Sequence, residues 1–439
     1  MNPWTAMGLV LAALGILMGV TRLLCRRGVL GPEASRKTVH LGMGVICLSF
    51  PWLFSAAWPV WLLAVLACIG LVGVRAVPVL RRTLGGVLHG VERVSWGELY
   101  FPVGVAAVFT MSAHDWVRFV VPVAILTFAD AAGALVGKRW GRNRFETLEG
   151  TKTVEGSAAV GMTAALATAV PLLLAGRAPL EVLLIALLLG LFALLLEAIA
   201  WEGLDNVFLP LATYAQLSVC LLLPLPAIAG RLLVLVAITL LARLWRRGRV
   251  VDESARLGGA LALYVFWAVG GWQWLVAPVL LLVSYLRLMP AIPGGVPKHN
   301  LVAVICVASS GLVWTLANAF APDPRWLWPF TLGIAAQQAV IALVRFSQAR
   351  PSRPRLAWWA AAVGQASLVQ LGAFACSDRG MTVPVAGYGI GFFGLAAAVG
   401  GFALWERQLQ MPEDLSRRWW KQGTTALVAS AAGLFLLHG

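Results

Sequence analysis

The chain is 439 residues long, 60% hydrophobic and only 12% charged, with a mean hydropathy of +0.83, and this excludes a soluble globule, because so much apolar surface needs lipid as its solvent. The formal net charge of +15 would suit a nucleic-acid binder, yet no stretch reads as a DNA- or RNA-binding motif. The six cysteines stand singly and mostly within apolar runs, which excludes a disulfide framework or a zinc site.

Apolar runs of about 17 to 22 residues recur along the chain, beginning with Trp4 to Leu24, and about sixteen spans fit. The first run has no small-residue cleavage site before Arg26-Arg27 and is read as a retained helix. If Met1 lies outside and the spans alternate, 29 of the 34 Lys and Arg residues fall on inward connectors, leaving Arg118, Arg177, Arg231, Arg325 and Arg379 on the other side. The positive-inside rule therefore predicts an outside N-terminus, and the basic excess is topology. The expected fold is an all-α, multi-pass protein of the cell (inner or plasma) membrane.

The second span opens on Arg36-Lys37-Thr-Val-His40 and the fourth on Arg93-Val-Ser95-Trp-Gly97-Glu98. Asp130 follows within the apolar run Trp116 to Val136, near its inner end. A carboxylate costs about 2.5 to 3.5 kcal/mol at the centre of a span and less near the interface, so such a residue has work to do. Gly133, Gly137 and Gly141 then punctuate a basic connector that runs into Gly150-Thr-Lys152-Thr153-Val-Glu155-Gly156-Ser157. Amides, hydroxyls and a lysine of this kind suit phosphate oxygens, and Asp130 with Glu155 could hold Mg²⁺ bridging a nucleotide's phosphates. No G-x-x-x-x-G-K-[ST] is present, and no strand is expected before the lysine, so a phosphate site would be built from helix ends. The seventh span ends on Glu197, one turn before Trp201-Glu202-Gly203-Leu-Asp205-Asn206. All four polar clusters fall on the inward side. Among the histidines only His40 has such a context; His299, like the other three, has none.

The strongest polar interruption is Arg243 to Arg256. It places a domain boundary there, giving a first membrane domain over 1–245 and a second over 246–439, the latter with acids confined to connectors.

Residues 33 to 215 resemble the membrane CTP-dependent lipid-alcohol kinases, the family of phytol, farnesol and dolichol kinases and the yeast-type diacylglycerol kinase. The resemblance rests on Arg36-Lys37-x-x-His40, Ser95-x-Gly97-Glu98, Asp130-x-x-Ala-x-x-x-Gly137, Lys152-Thr153-x-Glu155-Gly156-Ser157, and Glu197 with Asp205-Asn206 and Pro210. It implies CTP- and Mg²⁺-dependent phosphorylation of a lipid alcohol at the cytoplasmic face. Asp130, Lys152 and Glu155 would be catalytic, with Asp130 and Glu155 on the metal. Arg36, Lys37, His40, Gly137, Gly141, Thr153, Gly156, Ser157 and Asn206 would contact nucleotide or phosphate, and Glu98, Glu197 and Asp205 are further acidic candidates. Phosphatidate cytidylyltransferases share part of this pattern, but their Lys-Asp stretch and His-Gly-Gly-x-x-Asp-Arg segment are missing here. A membrane transporter is the alternative of another class, and the gathering of acids at one face argues against it.

The second half is similar to a membrane family that includes phytyl-phosphate kinases, through Leu257-Gly-Gly, Gly270-Gly-Trp272-Gln-Trp274 and Val383-Pro384 to Gly394. Where that family has an acidic segment, this chain has Ala336-Gln337-Gln338. The expectation is a degenerate, structural or lipid-lining half.

Overall fold

The computed structural model describes residues 2–76, 96–148, 150–200, 203–244, 251–292, 298–376, 385–406, 409 and 414–436. Arg93, Ser95, Trp201, Glu202, Arg379, Val383 and Pro384 lie outside them. The chain divides into two compact units, Met1–Val236 and Ala237–Gly439, the dividing point falling inside a helix ahead of the expected boundary.

Unit 1 is built from α1 (Pro3–Arg26), α2 (Pro32–Leu48), the single turn α3 (Phe50–Leu53), α4 (Trp58–Ala76), α5 (Gly97–Ser112), α6 (Trp116–Trp140), α7 (Val154–Leu174), α8 (Pro179–Ala198), α9 (Asp205–Cys220) and α10 (Leu225–Leu244), whose end passes into unit 2. Local chemistry sets many of the starts. Asn2 and Asp115 accept backbone N–H groups at the heads of α1 and α6, and Pro3, Pro32 and Pro179 occupy first-turn positions where no N–H is needed. Helix α6 is the hub, packed against α2, α5, α7 and α9. Its residues Phe119, Val121, Val123 and Ile125 are almost wholly buried, and Phe119 meets Phe50 and Phe109.

Between α6 and α7 the chain makes an antiparallel hairpin, β1 (Arg144–Thr147) with β2 (Gly150–Thr153), in the register Phe145 to Lys152. The fold is all-α as expected, and this hairpin is the one pair of strands among the described residues. The connector sets the buried Phe145 between exposed Arg144 and Glu146 and turns at Gly150, whose φ of +121° is open only to glycine. Strand β2 leads directly into α7, so Lys152 does stand at a strand-to-helix junction.

Unit 2 contains α11 (Glu253–Gly270), α12 (Gln273–Arg287), α13 (Leu301–Phe320), α14 (Leu327–Ala349), α15 (Arg355–Ala375), α16 (Val385–Trp405) and α17 (Leu415–Ser430). Its hub is α14, where Phe330 packs on Phe266 and Trp274. Gln337 and Gln338 are fully buried in this helix. They donate to Cys306 O and Ser284 Oγ at 2.8 and 2.7 Å, tying α14 to α13 and α12 where the resemblance would place acids.

Among the described residues eight helices are long and apolar enough to cross a membrane, with two shorter apolar helices, Trp58–Gly73 and Gln273–Arg287. Sixteen spans are not reached by that criterion. Helices α5, α9 and α17 have 16 residues each, about 24 Å at 1.5 Å per residue against a hydrocarbon core of about 30 Å, and α2 opens on charged residues. All six cysteines are free.

Candidate active site

Three of the four polar clusters are joined by side chains. Helix α2 runs antiparallel to α6, so its first turns meet the last turns of the hub. Lys37 Nζ lies 2.5 Å from Asp130 Oδ2, with the two side chains 14% and 32% exposed. One turn further along α2, His40 Nε2 sits 3.3 Å from Leu126 O and its ring meets Phe101 edge-on at 5.1 Å. A side chain on Gly44 would collide with Thr127, so this glycine sets the close approach that brings Lys37 to Asp130.

The hairpin places Lys152. Phe145 and Lys152 are opposed, hence on one face, and that face turns inward because Phe145 is buried. Lys152 Nζ then reaches Glu197 Oε1 at 2.6 Å and also donates to the Glu197 backbone carbonyl. It thereby fastens the head of α7 to the tail of α8.

The junction itself is fixed by its own residues. Thr153 caps α7, its Oγ1 accepting from Gly156 N at 3.1 Å. Glu155 turns back and accepts from the backbone N–H groups of Arg142 and Asn143 and from Asn143 Nδ2 at 2.9 Å, while Val154 N donates to Asn143 O. Thr153→Ala is expected to lower the unfolding free energy of the purified chain by about 1 kcal/mol, with Thr153→Ser near the parent; equal unfolding midpoints for parent and Thr153→Ala would remove the cap from this account.

The glycines expected to admit a phosphate have a packing role. A Cβ on Gly156 would lie 2.9 Å from Gly133 O and 3.2 Å from Gly137 Cα, and one on Gly137 or Gly141 would press on Thr153. Gly133, Gly137 and Gly141 thus form a small-residue stripe that lets α7 start directly against α6. Ser157 is buried with its hydroxyl unpartnered.

The remaining candidates belong to the same end of unit 1. Glu98 occupies the first turn of α5 and Asp205 that of α9, and α5 packs there on α9, since a Cβ on Gly104 would lie 2.4 Å from Asn206 O. Asn206 Nδ2 donates to Gly203 O at 3.3 Å. Arg36 is half-buried beside Lys37, and its charge is felt at Asp130.

The two expected metal ligands have separate protein partners, Asp130 an ion pair and Glu155 the 142–143 turn. Among the described residues no three His, Cys, Asp or Glu side chains gather as a metal cage. Mg²⁺ does not require one: it takes one or two carboxylates and completes its shell with water and substrate phosphates. Asp130 keeps Oδ1 without a protein partner among the described residues, and its oxygen chemistry fits.

Sequence reasoning missed Asn143 and the hairpin. The alternation Arg-Phe-Glu-Thr before Gly150 and Thr-Lys-Thr after it was the signal available.

No family model matches the chain, and no solved structure matches it. Among curated proteins it is 28% identical over 214 residues to the phytol kinase of Synechocystis sp., a match covering 48% of this chain and 89% of the relative. The chain is similar to a phytol kinase. That phytol kinase is therefore matched over nearly its whole length by a stretch the size of one unit.

Proposed function

We propose that unit 1 transfers the γ-phosphoryl group of CTP to the hydroxyl of a membrane lipid alcohol, of the prenol class, at the cytoplasmic face. The observation that carries this reading is the pairing of Lys37 with Asp130 and of Lys152 with Glu197 at the end of the unit where the hairpin lies, in a chain similar over 214 residues to a phytol kinase.

Phosphoryl transfer asks chiefly for positioning and charge neutralisation. Lys152, Arg36 and Lys37 would hold phosphate oxygens, the amides and hydroxyls of the Thr153–Ser157 turn would orient them, and Asp130 and Glu155 would hold Mg²⁺, whose charge would neutralise the triphosphate. In this reading the ion pairs are the resting form of the site: each lysine exchanges its carboxylate for a phosphate oxygen when the nucleotide enters.

The test incubates the purified chain in lipid with Mg²⁺, a panel of prenols and diacylglycerol, and CTP labelled separately at the γ and α phosphates. The expected result is γ label in a prenyl monophosphate. Label from the α position in lipid would mean a cytidylyltransferase, and solute flux in proteoliposomes without nucleotide would mean a transporter.

A further inference from the structure

His299, which has no context in the sequence, is held firmly in unit 2. Val251 and His299 form a parallel bridge, and Asp252 N donates to His299 O at 3.0 Å, so the residue is pinned between the heads of α11 and α13. Its Nε2 lies 2.9 Å from the Tyr285 hydroxyl, and Trp419 of α17 meets its ring edge-on at 5.7 Å. Arg345, near the tail of α14, sets its guanidinium 5.6 Å from the centre of the same Tyr285 ring. Tyr285 thus gathers an imidazole and a guanidinium from two other elements.

These two groups share a deficit found at other buried polar atoms of the chain, and here both belong to residues that meet one tyrosine. Nδ1 of His299 and Nε of Arg345 are both buried and have no hydrogen-bond partner. A buried polar group left in that condition costs about 1–3 kcal/mol, so a ligand that satisfied both at once would gain from each. If the Tyr285 hydroxyl donates to Nε2, the proton of the neutral ring sits on Nδ1, and the missing partners are both acceptors. Burial, reinforced by the nearby charge of Arg345, pushes the His299 imidazole down to about 4, which keeps the ring neutral.

Charge agrees with geometry. Arg345 has no ion pair among the described residues, and the described acids at this end are engaged elsewhere: Glu253 with Arg256, Glu406 with Lys421, while Asp252 and Asp414 cap α11 and α17. A half-buried guanidinium without a counter-ion needs an anion. Donors arriving from separate elements suit a tetrahedral oxyanion better than a planar carboxylate, which an arginine fork would hold alone.

We propose that His299, Arg345 and Tyr285 form a phosphate-binding site in unit 2 that takes a phosphate dianion, either the phosphomonoester headgroup of a lipid or free phosphate. The site is independent of the transfer reaction proposed for unit 1. Its test is therefore a binding measurement.

The full chain, purified into phosphatidylcholine nanodiscs without phosphate, is titrated with inorganic phosphate, and in parallel reconstituted into phosphatidylcholine discs with and without dioleoyl phosphatidate; the thermal unfolding midpoint is read in each. The expected result is a rise with at least one of the two probes, the responding probe naming the source. Arg345→Gln and His299→Gln should each weaken that response at least tenfold in apparent Kd, while Lys152→Ala in unit 1 leaves this component in place. If Arg345→Gln fails to fold, Tyr285→Phe, which removes only the hydroxyl that fixes the imidazole, serves instead and should weaken binding. No response to either probe, or a response unchanged in the unit 2 variants, would overturn the proposal.

Discussion

Asp130→Asn is expected to lower γ-phosphoryl transfer by about 10²–10³-fold, the scale on which losing one directed charge at a reacting centre is felt. The substitution preserves shape and keeps a hydrogen-bond acceptor for Lys37, but removes the negative charge that would hold Mg²⁺. It also leaves Lys37, a 14%-exposed cation, without its counter-ion, so a lower unfolding midpoint is expected alongside the lost activity. The neutral double variant Lys37→Gln with Asp130→Asn separates the two effects. It removes the stranded charge and should recover most of the midpoint, yet remain inactive, because the carboxylate and the ammonium proposed to hold phosphate are both gone. Turnover of labelled CTP is measured in parent, single and double variants at equal folded concentration. Activity in the double variant close to that of the parent would make Asp130 a packing residue and end its assignment as a metal ligand.

The second large effect belongs to Gly156. Adding even a methyl group places a carbon 2.9 Å from Gly133 O, 2.9 Å from Thr153 Oγ1 and 3.2 Å from Gly137 Cα. Two of these neighbours are backbone atoms of α6, and the third is the cap of the helix itself, so none can swing away. Overpacking of this kind costs about 1–3 kcal/mol, and in lipid the close approach of small residues is itself a main source of helix association. Gly156→Ala is expected to fall in that range, and Gly156→Leu to push α7 off α6 and carry Lys152 away from Glu197, abolishing transfer. Gly19→Leu in α1, where a Cβ meets nothing within 4 Å, is the control and should leave both midpoint and turnover unchanged. Unfolding in detergent and product formation are followed together; a Gly156→Leu variant as stable and active as the control would show that the stripe is not needed.

These cases also mark what the sequence could and could not tell. Apolar periodicity and length report solvent directly, which is why a helical membrane chain was legible throughout. The polar clusters could be ordered along the chain because an acid such as Asp130 inside an apolar run is costly and conspicuous. What a side chain touches was not legible. A glycine that admits a phosphate and one that admits a neighbouring helix are the same letter, and only the packing of α7 on α6 gives Gly137 and Gly156 the second role. Glu155 likewise reads as a free carboxylate, whereas it is folded back on the turn at Arg142 and Asn143. The hairpin escaped because a four-residue strand carries too little alternation to stand out from a basic connector. The count of spans suffered from the converse problem: runs such as α5 and α9 are apolar enough, but the helices they form are short.

The Lys152–Glu197 contact has a selective consequence. An isolated anion approaching Lys152 must draw it away from Glu197 and gives the abandoned carboxylate nothing in return, so the net exchange is unfavourable. In the reading proposed for unit 1, a polyphosphate that arrives with its divalent cation brings charge of both signs, so Lys152 would gain a phosphate oxygen while the cation offsets the charge left on Glu197. Closed against bare anions and open to chelated ones, such a latch would let the protein pass over the abundant inorganic phosphate around it without needing any wall to keep it out.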